Sequence, residues 1–166
     1  MPAHLSPRPV VSEAANRPTL EMLELGRPEC LRLLAANRIG RIAVSVTEWD
    51  HPLVRPVNYV FDQPSQSVLI RSASGSKLHA LLRSARATFE IDGTDETARV
   101  GWSVIVIGVA EELTSRADVR RIESLGLEPW APGHKGHWIS IHANVVSGRR
   151  FTLVTGYDAR TPSAAA

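Results

Sequence analysis

The chain has 166 residues, 43% hydrophobic and 22% charged, which suits a single globular domain with a sizeable core. Its formal charge of +2 and pI near 9.1 come from scattered residues, with pairs only at Arg120–Arg121 and Arg149–Arg150, so nothing resembles a basic nucleic-acid tail. The single cysteine, Cys30, excludes an internal disulfide. No apolar run is long enough to span a bilayer, and no secretory h-region is visible, so a cytoplasmic protein is expected.

Residues 1–18 are rich in Pro, Ser and Ala and read as a mobile arm. Residues 158–166 read as a similar tail, leaving 19–157 as the domain. The first expected element is a helix over 28–37, opened by Pro28 and burying Cys30, Leu31, Leu33 and Leu34. The period then changes to two: Ile42, Val44 and Val46 mark a strand over 41–46. A second strand spans 53–61, where Pro56 calls for an edge or irregular site. A third spans 68–72, antiparallel to the second across the short turn DQPSQS.

Next come a short helix over 76–84 and a strand over 87–92. The long β-branched run 101–113 is the plainest strand, and its unbroken apolar character predicts contact on both faces, a barrel interior and a partner chain. A helix over 116–125 follows, capped by Ser115, then a Gly/Pro-rich loop and strands over 137–146 and 149–154. The whole predicts a mainly β protein: an antiparallel split barrel of six to seven strands with two or three short flanking helices. A Rossmann arrangement would need helices between nearly all the strands, and they are not there.

Two lysines occur among the 19 basic residues, Lys77 and Lys135. Lys77 stands in IRSASGSKLHALLR, directly after a small polar turn and at the start of an expected helix. Arg71 offers a planar fork, Lys77 an ammonium, Ser72, Ser74 and Ser76 hydroxyls, and a Gly-containing turn offers converging backbone N–H groups. This set suits a phosphate monoester, although neither a Walker loop nor a GxGxxG fingerprint is present. A capped helix with an exposed lysine is the plain alternative.

The order RIGRIAVSV, VRPVNYVFD, VLIRSASGSKL and GWSVIVIGVAEEL resembles the pyridoxamine 5′-phosphate oxidase-like flavoproteins, over roughly residues 25–155. The resemblance implies an FMN-binding split barrel working as a homodimer, with the cofactor at the subunit interface. Arg55, Val57 and Asn58 would lie along the flavin ring, and Arg71, Ser72, Ser76 and Lys77 would grip its phosphate. Trp102 or Ser103 would reach the ring from the partner chain, and Trp138, or failing it Trp130, would cover the site.

Hydride or electron transfer at the ring needs no obligatory protein acid or base, so no catalytic residue is singled out. Arg149–Arg150 is not followed by a histidine, so the substrate set of the vitamin B6 enzyme is not matched; a small-molecule substrate or electron donor of another kind is implied. A deazaflavin coenzyme, or less readily haem, could occupy the same barrel, and a binding protein without activity or a plain dimeric scaffold remains open.

Other constellations are weaker. His134 and His137 are three apart but have no further zinc ligands nearby in sequence. Asp92, Asp95 and Glu96 read as a solvated turn. Ser45 and Ser103 have no evident base, and no Gly-x-Ser-x-Gly elbow occurs.

Overall fold

The structure is a computed structural model and describes residues 19–45, 51–73, 85–130 and 132–154. Eight antiparallel strands and two helices are described: β1 (Thr19–Leu25), α1 (Arg27–Ala36), β2 (Ile39–Val44), β3 (Leu53–Asp62), β4 (Ser67–Ser72), β5 (Ala85–Asp95), β6 (Val100–Leu113), α2 (Arg116–Glu123), β7 (His137–His142) and β8 (Val145–Val154). The expected helix over 76–84 and Val46 lie outside the described residues.

The strand order β1-β8-β6-β5-β2-β3-β4-β7, with β7 returning to β6, closes six strands into a barrel and leaves β8 and β1 as an extension. The expected fold is therefore the observed one. Strand β6 makes the split. Along one edge it pairs with β5 from Val100 to Ala110; along the other it pairs with β8 from Val100 to Ile107 and with β7 from Ala110 to Leu113. Gly108 stands where the partner changes, and a Cβ there would run into the backbone carbonyl of His142. Only glycine lets the two backbones approach so closely.

The barrel is filled by alternating residues of each strand. Ile42, Val44, Tyr59, Phe61, Val68, Ile70, Phe89, Val104, Val106, Ile139 and Ile141 belong to one buried core, which α1 covers with Cys30, Leu33 and Leu34. Tyr59 meets Phe89 edge-on, ring centroids 4.8 Å apart, and donates its hydroxyl to the Leu34 carbonyl at 2.8 Å. That bond satisfies the only polar atom of a fully buried ring. Asn37 ends α1 by donating its amide to Leu33 O at 2.8 Å, and Ser115 caps α2 by accepting from Asp118 N, as expected.

A smaller cluster on the outer side holds Val60, Leu69, Ile122, Leu127 and Trp138. It seats α2, which a bidentate pair locks in place: Arg121 Nη1 and Nη2 donate to Asp62 at 2.8 and 2.9 Å. Pro56 fits its strand because β3 pairs with β2 alone before Tyr59, so the missing N–H interrupts no second ladder.

Two strand expectations differ from the structure. The run 137–146 is not one strand. It breaks at Ala143 and Asn144, and the inward phase slips by one residue, from Ile139, Ile141 and Ala143 to Val146, Gly148 and Arg150. The slip transfers the chain from the barrel to the extension while both strands stay on β6. The second difference is β1, which the sequence reading left without an element. Its six residues from Thr19 to Glu24 are exposed, and only pairing with β8 holds them extended.

Candidate functional site

One end of the barrel gathers most of the candidate residues. There β4 and β6 end and β3, β5 and β7 begin; the Ser-Gly-Ser-Lys stretch that follows β4 in sequence lies outside the described residues. Alternation assigns each side chain a face. On β3, Arg55 and Val57 share the parity of the core residues Tyr59 and Phe61, whereas Asn58 shares that of Val60 in the outer cluster. On β4, Ser72 follows Ile70 inward, and Arg71 follows Leu69 outward.

Arg71 is held firmly. Its Nε donates to Lys135 O at 2.8 Å, and its guanidinium lies over the Trp138 ring, 5.2 Å from the centroid. The two Nη nitrogens donate to no other described residue. Ser72 is 3% exposed and lies opposite His137 in the β4–β7 ladder. Ser76 and Lys77, expected beside them, lie outside the described residues.

The other candidates separate. Asn58 accepts the backbone N–H of Trp130 at 2.8 Å, so its amide oxygen braces the loop that leads into β7. Trp138 is 2% exposed, packed beneath Arg71 in the outer cluster, and offers no open ring face; Trp130 is 75% exposed. Arg55 is exposed, and its Nη1 donates only to the Val54 carbonyl among the described residues. Trp102 is half-buried at the opposite end of β6 beside Gly93. Ten residues of strand separate it from Glu112 at the candidate end, about 33 Å at the usual rise per residue. Trp102 packs against the same barrel core as Val57 but stands away from Arg71 and Ser72, which β7 ties to the Glu112 end.

The sequence reading missed Glu112. It follows Val104, Val106, Gly108 and Ala110 on the inward face of β6, where a carboxylate interrupts an apolar series. Its Oε1 accepts the Nδ1–H of His137 at 2.6 Å. The visible signal was parity: the first inward polar residue on an otherwise apolar strand. His134 and His137 form no metal cluster, and no group of metal-ligating side chains is found among the described residues. Of the acidic turn, Asp92 pairs with Arg41, which Glu90 of β5 also joins, and Asp95 accepts from Ala98 N at 2.9 Å.

The outward face of β6 is apolar and open. Ile105, Ile107 and Val109 are 37%, 44% and 41% exposed, with Val145 beside Ile107 on β8. No helix among the described residues is long and apolar enough to cross a membrane.

The split barrel, the β4 end and the strand order define a family, and comparison with known proteins agrees. The pyridoxamine 5′-phosphate oxidase family model matches residues 26–150. The chain belongs to that family. It is 32% identical over 154 residues to the uncharacterized protein Rv0080 of Mycobacterium tuberculosis, covering 90% of this chain and 95% of that protein. Among solved structures, the FAD binding protein from Mycobacterium smegmatis superposes with a TM-score of 0.66 at 32% identity, over 78% of this chain and 98% of that one. A FAD-binding protein from Mesorhizobium loti gives 0.63 at 25% identity, over 81% and 99%.

Proposed function

We propose that this chain binds a flavin nucleotide at the β4 end of the barrel and acts as a flavin-dependent oxidoreductase in a homodimer. The observation that carries the reading is Arg71: fixed through Nε and by stacking, it keeps its Nη pair bonded to no described residue, directly before Ser72 and the Ser-Gly-Ser-Lys stretch. A pre-oriented guanidinium fork is the donor geometry a phosphate takes. Because Arg71 and Ser72 leave the strand on opposite faces, a phosphate reached by both sits past the end of β4, after which Ser76 and Lys77 follow in sequence.

Val57 and Arg55, on the inner face of β3, would border the ring. Asn58 serves by fixing the 126–137 loop, and Trp138 by supporting Arg71 from below. Trp102 would reach a ring from the partner chain. Association through the outward face of β6 would cover Ile105, Ile107 and Val109 and bring the second chain alongside the first. FMN carries the phosphate monoester in its simplest form; FAD, which two relatives bind, presents a phosphate at the same place on the ribityl chain. When bound, the flavin supplies two-electron hydride chemistry, and the protein's part is to bind, orient and exclude water.

The test is the visible spectrum of the purified protein, followed by titration with FMN and FAD and by oxidation of reduced nicotinamide. A flavin spectrum with turnover is expected. Flavin without turnover would leave a binding protein, a Soret band would mean haem, and a colourless protein indifferent to both flavins would refute the reading.

A further inference from the structure

The loop between α2 and β7 carries Trp130, the most exposed aromatic side chain among the described residues at 75%. An indole is ordinarily well covered, and this one is uncovered although the chain around it is tied down. Leu127 is buried in the outer cluster, Asn58 Oδ1 accepts the Trp130 N–H at 2.8 Å, and Lys135 O accepts Arg71 Nε–H at 2.8 Å. The last two anchors are neighbours. Continued by one residue, the Tyr59↔Ile70 register sets Asn58 opposite Arg71, both on the outward face of the sheet. The backbone of Trp130 is thereby fixed beside the residue that offers the guanidinium fork. The indole meets no other ring and no cation among the described residues. The same loop holds Lys135, whose backbone is bonded to Arg71, so a second cation belongs to this corner.

A firmly held cation fork with an uncovered indole at its side suits a nucleotide: charge for the phosphate, a ring face for the base. In the flavin reading above, the isoalloxazine borders the inner face of β3 and its phosphate sits past the end of β4. Whatever continues from that phosphate emerges on the outward side, where Arg71 and Trp130 stand. FMN ends at the phosphate, whereas FAD continues into a second phosphate and an adenosine. We propose that Trp130 is the platform on which the adenine of FAD stacks, a specificity-determining residue that selects the dinucleotide over FMN. The proposal rests on the flavin reading. Lys135 supplies the cation for the second phosphate. Asn58 is a positioning residue, because its amide oxygen holds the backbone of Trp130.

The experiment titrates wild type, Trp130→Ala and Trp130→Phe, each freed of any copurified flavin, with FAD and with FMN by calorimetry. Reduction of the bound flavin by NADPH is followed alongside. Because the indole is exposed, all three proteins should melt alike, so a change in affinity is not a loss of fold. The wild type should bind FAD at least about tenfold more tightly than FMN. Trp130→Ala should weaken FAD about tenfold and leave FMN within about twofold, and Trp130→Phe, which keeps a ring face, should retain most of the preference. Equal wild-type affinity for the two flavins overturns the proposal. So does a Trp130→Ala variant that weakens both flavins alike, which would put the indole on the isoalloxazine. A variant with unchanged FAD affinity but weaker use of NADPH would give the indole to the electron donor and overturn it too. A wild type that binds neither flavin sinks the underlying reading instead, and the adenine platform with it.

Discussion

Removing either member of the Asp62–Arg121 pair should destabilise the protein, but not equally. Asp62 is 1% exposed at the side chain and Arg121 47%. Arg121→Ala strands a buried carboxylate whose remaining side-chain donor is the Ser65 hydroxyl. Loss of one partner from such a pair costs about 3–5 kcal/mol. Asp62→Ala instead releases a half-exposed guanidinium into water and forfeits two charge-assisted hydrogen bonds, about 2 kcal/mol net. The pair also gives the fold an acid limb. Burial alone would raise the Asp62 carboxyl, but hydrogen bonds from Arg121 and Ser65 outweigh it and hold the group below its usual range. A lowered folded pKa means stability that is complete above the unfolded value and is lost as pH falls through the folded one. Urea unfolding followed by circular dichroism, at neutral pH and down into the carboxylate range, measures both effects. Arg121→Ala should lose more than Asp62→Ala, and the acid loss assigned to Asp62 should vanish in Asp62→Ala. Equal costs, or an acid limb unchanged in Asp62→Ala, would refute the reasoning.

Two further outcomes follow from the same packing. Gly108→Ala drives a methyl group into the His142 carbonyl where the barrel closes, so the melting temperature should fall by more than a surface substitution allows, about 2 kcal/mol or greater in unfolding free energy; a neutral result would mean the β6–β7 closure yields easily. Ile107→Glu places a charge in the middle of the open apolar face of β6, and light scattering should report a dimer for the wild type and a monomer for the variant; a wild-type monomer would refute the proposed dimer, and a dimer unchanged by the substitution would move the interface elsewhere.

Much of this fold is legible in the residues, and the exceptions have physical causes. Ile42 and Val44, the 101–113 run and the Ser115 cap announce their elements because period, β-branching and capping chemistry act locally. In β1, the stretch TLEMLEL is built of good helix formers and buries little, so its extended state comes from pairing with β8, more than 120 residues away in sequence. The phase slip at Asn144 is hidden for a similar reason: neither Gly nor Pro marks it, and only the change of partner along β6 requires it. Of the site, chain order identifies the end of β4, but faces decide roles. Alternation sends Asn58 and Arg71 outward and Val57 and Ser72 inward, and strand length carries Trp102 away from Arg71 and Ser72. Trp138 is an aromatic near the last barrel strands, yet the cation it supports is visible only once Arg71 is seen above it. Glu112 could have been found by counting parity along β6.

The phosphate claim is tested most directly by comparing FMN with riboflavin, which differ only in that group, by fluorescence titration of wild type and Arg71→Ala. The account predicts that the wild type binds FMN at least about tenfold more tightly than riboflavin, ~1.4 kcal/mol or more, and that Arg71→Ala loses most of that preference while its riboflavin affinity changes little. Equal affinity of the wild type for the two ligands, or a preference for FMN that survives intact in Arg71→Ala, would contradict it.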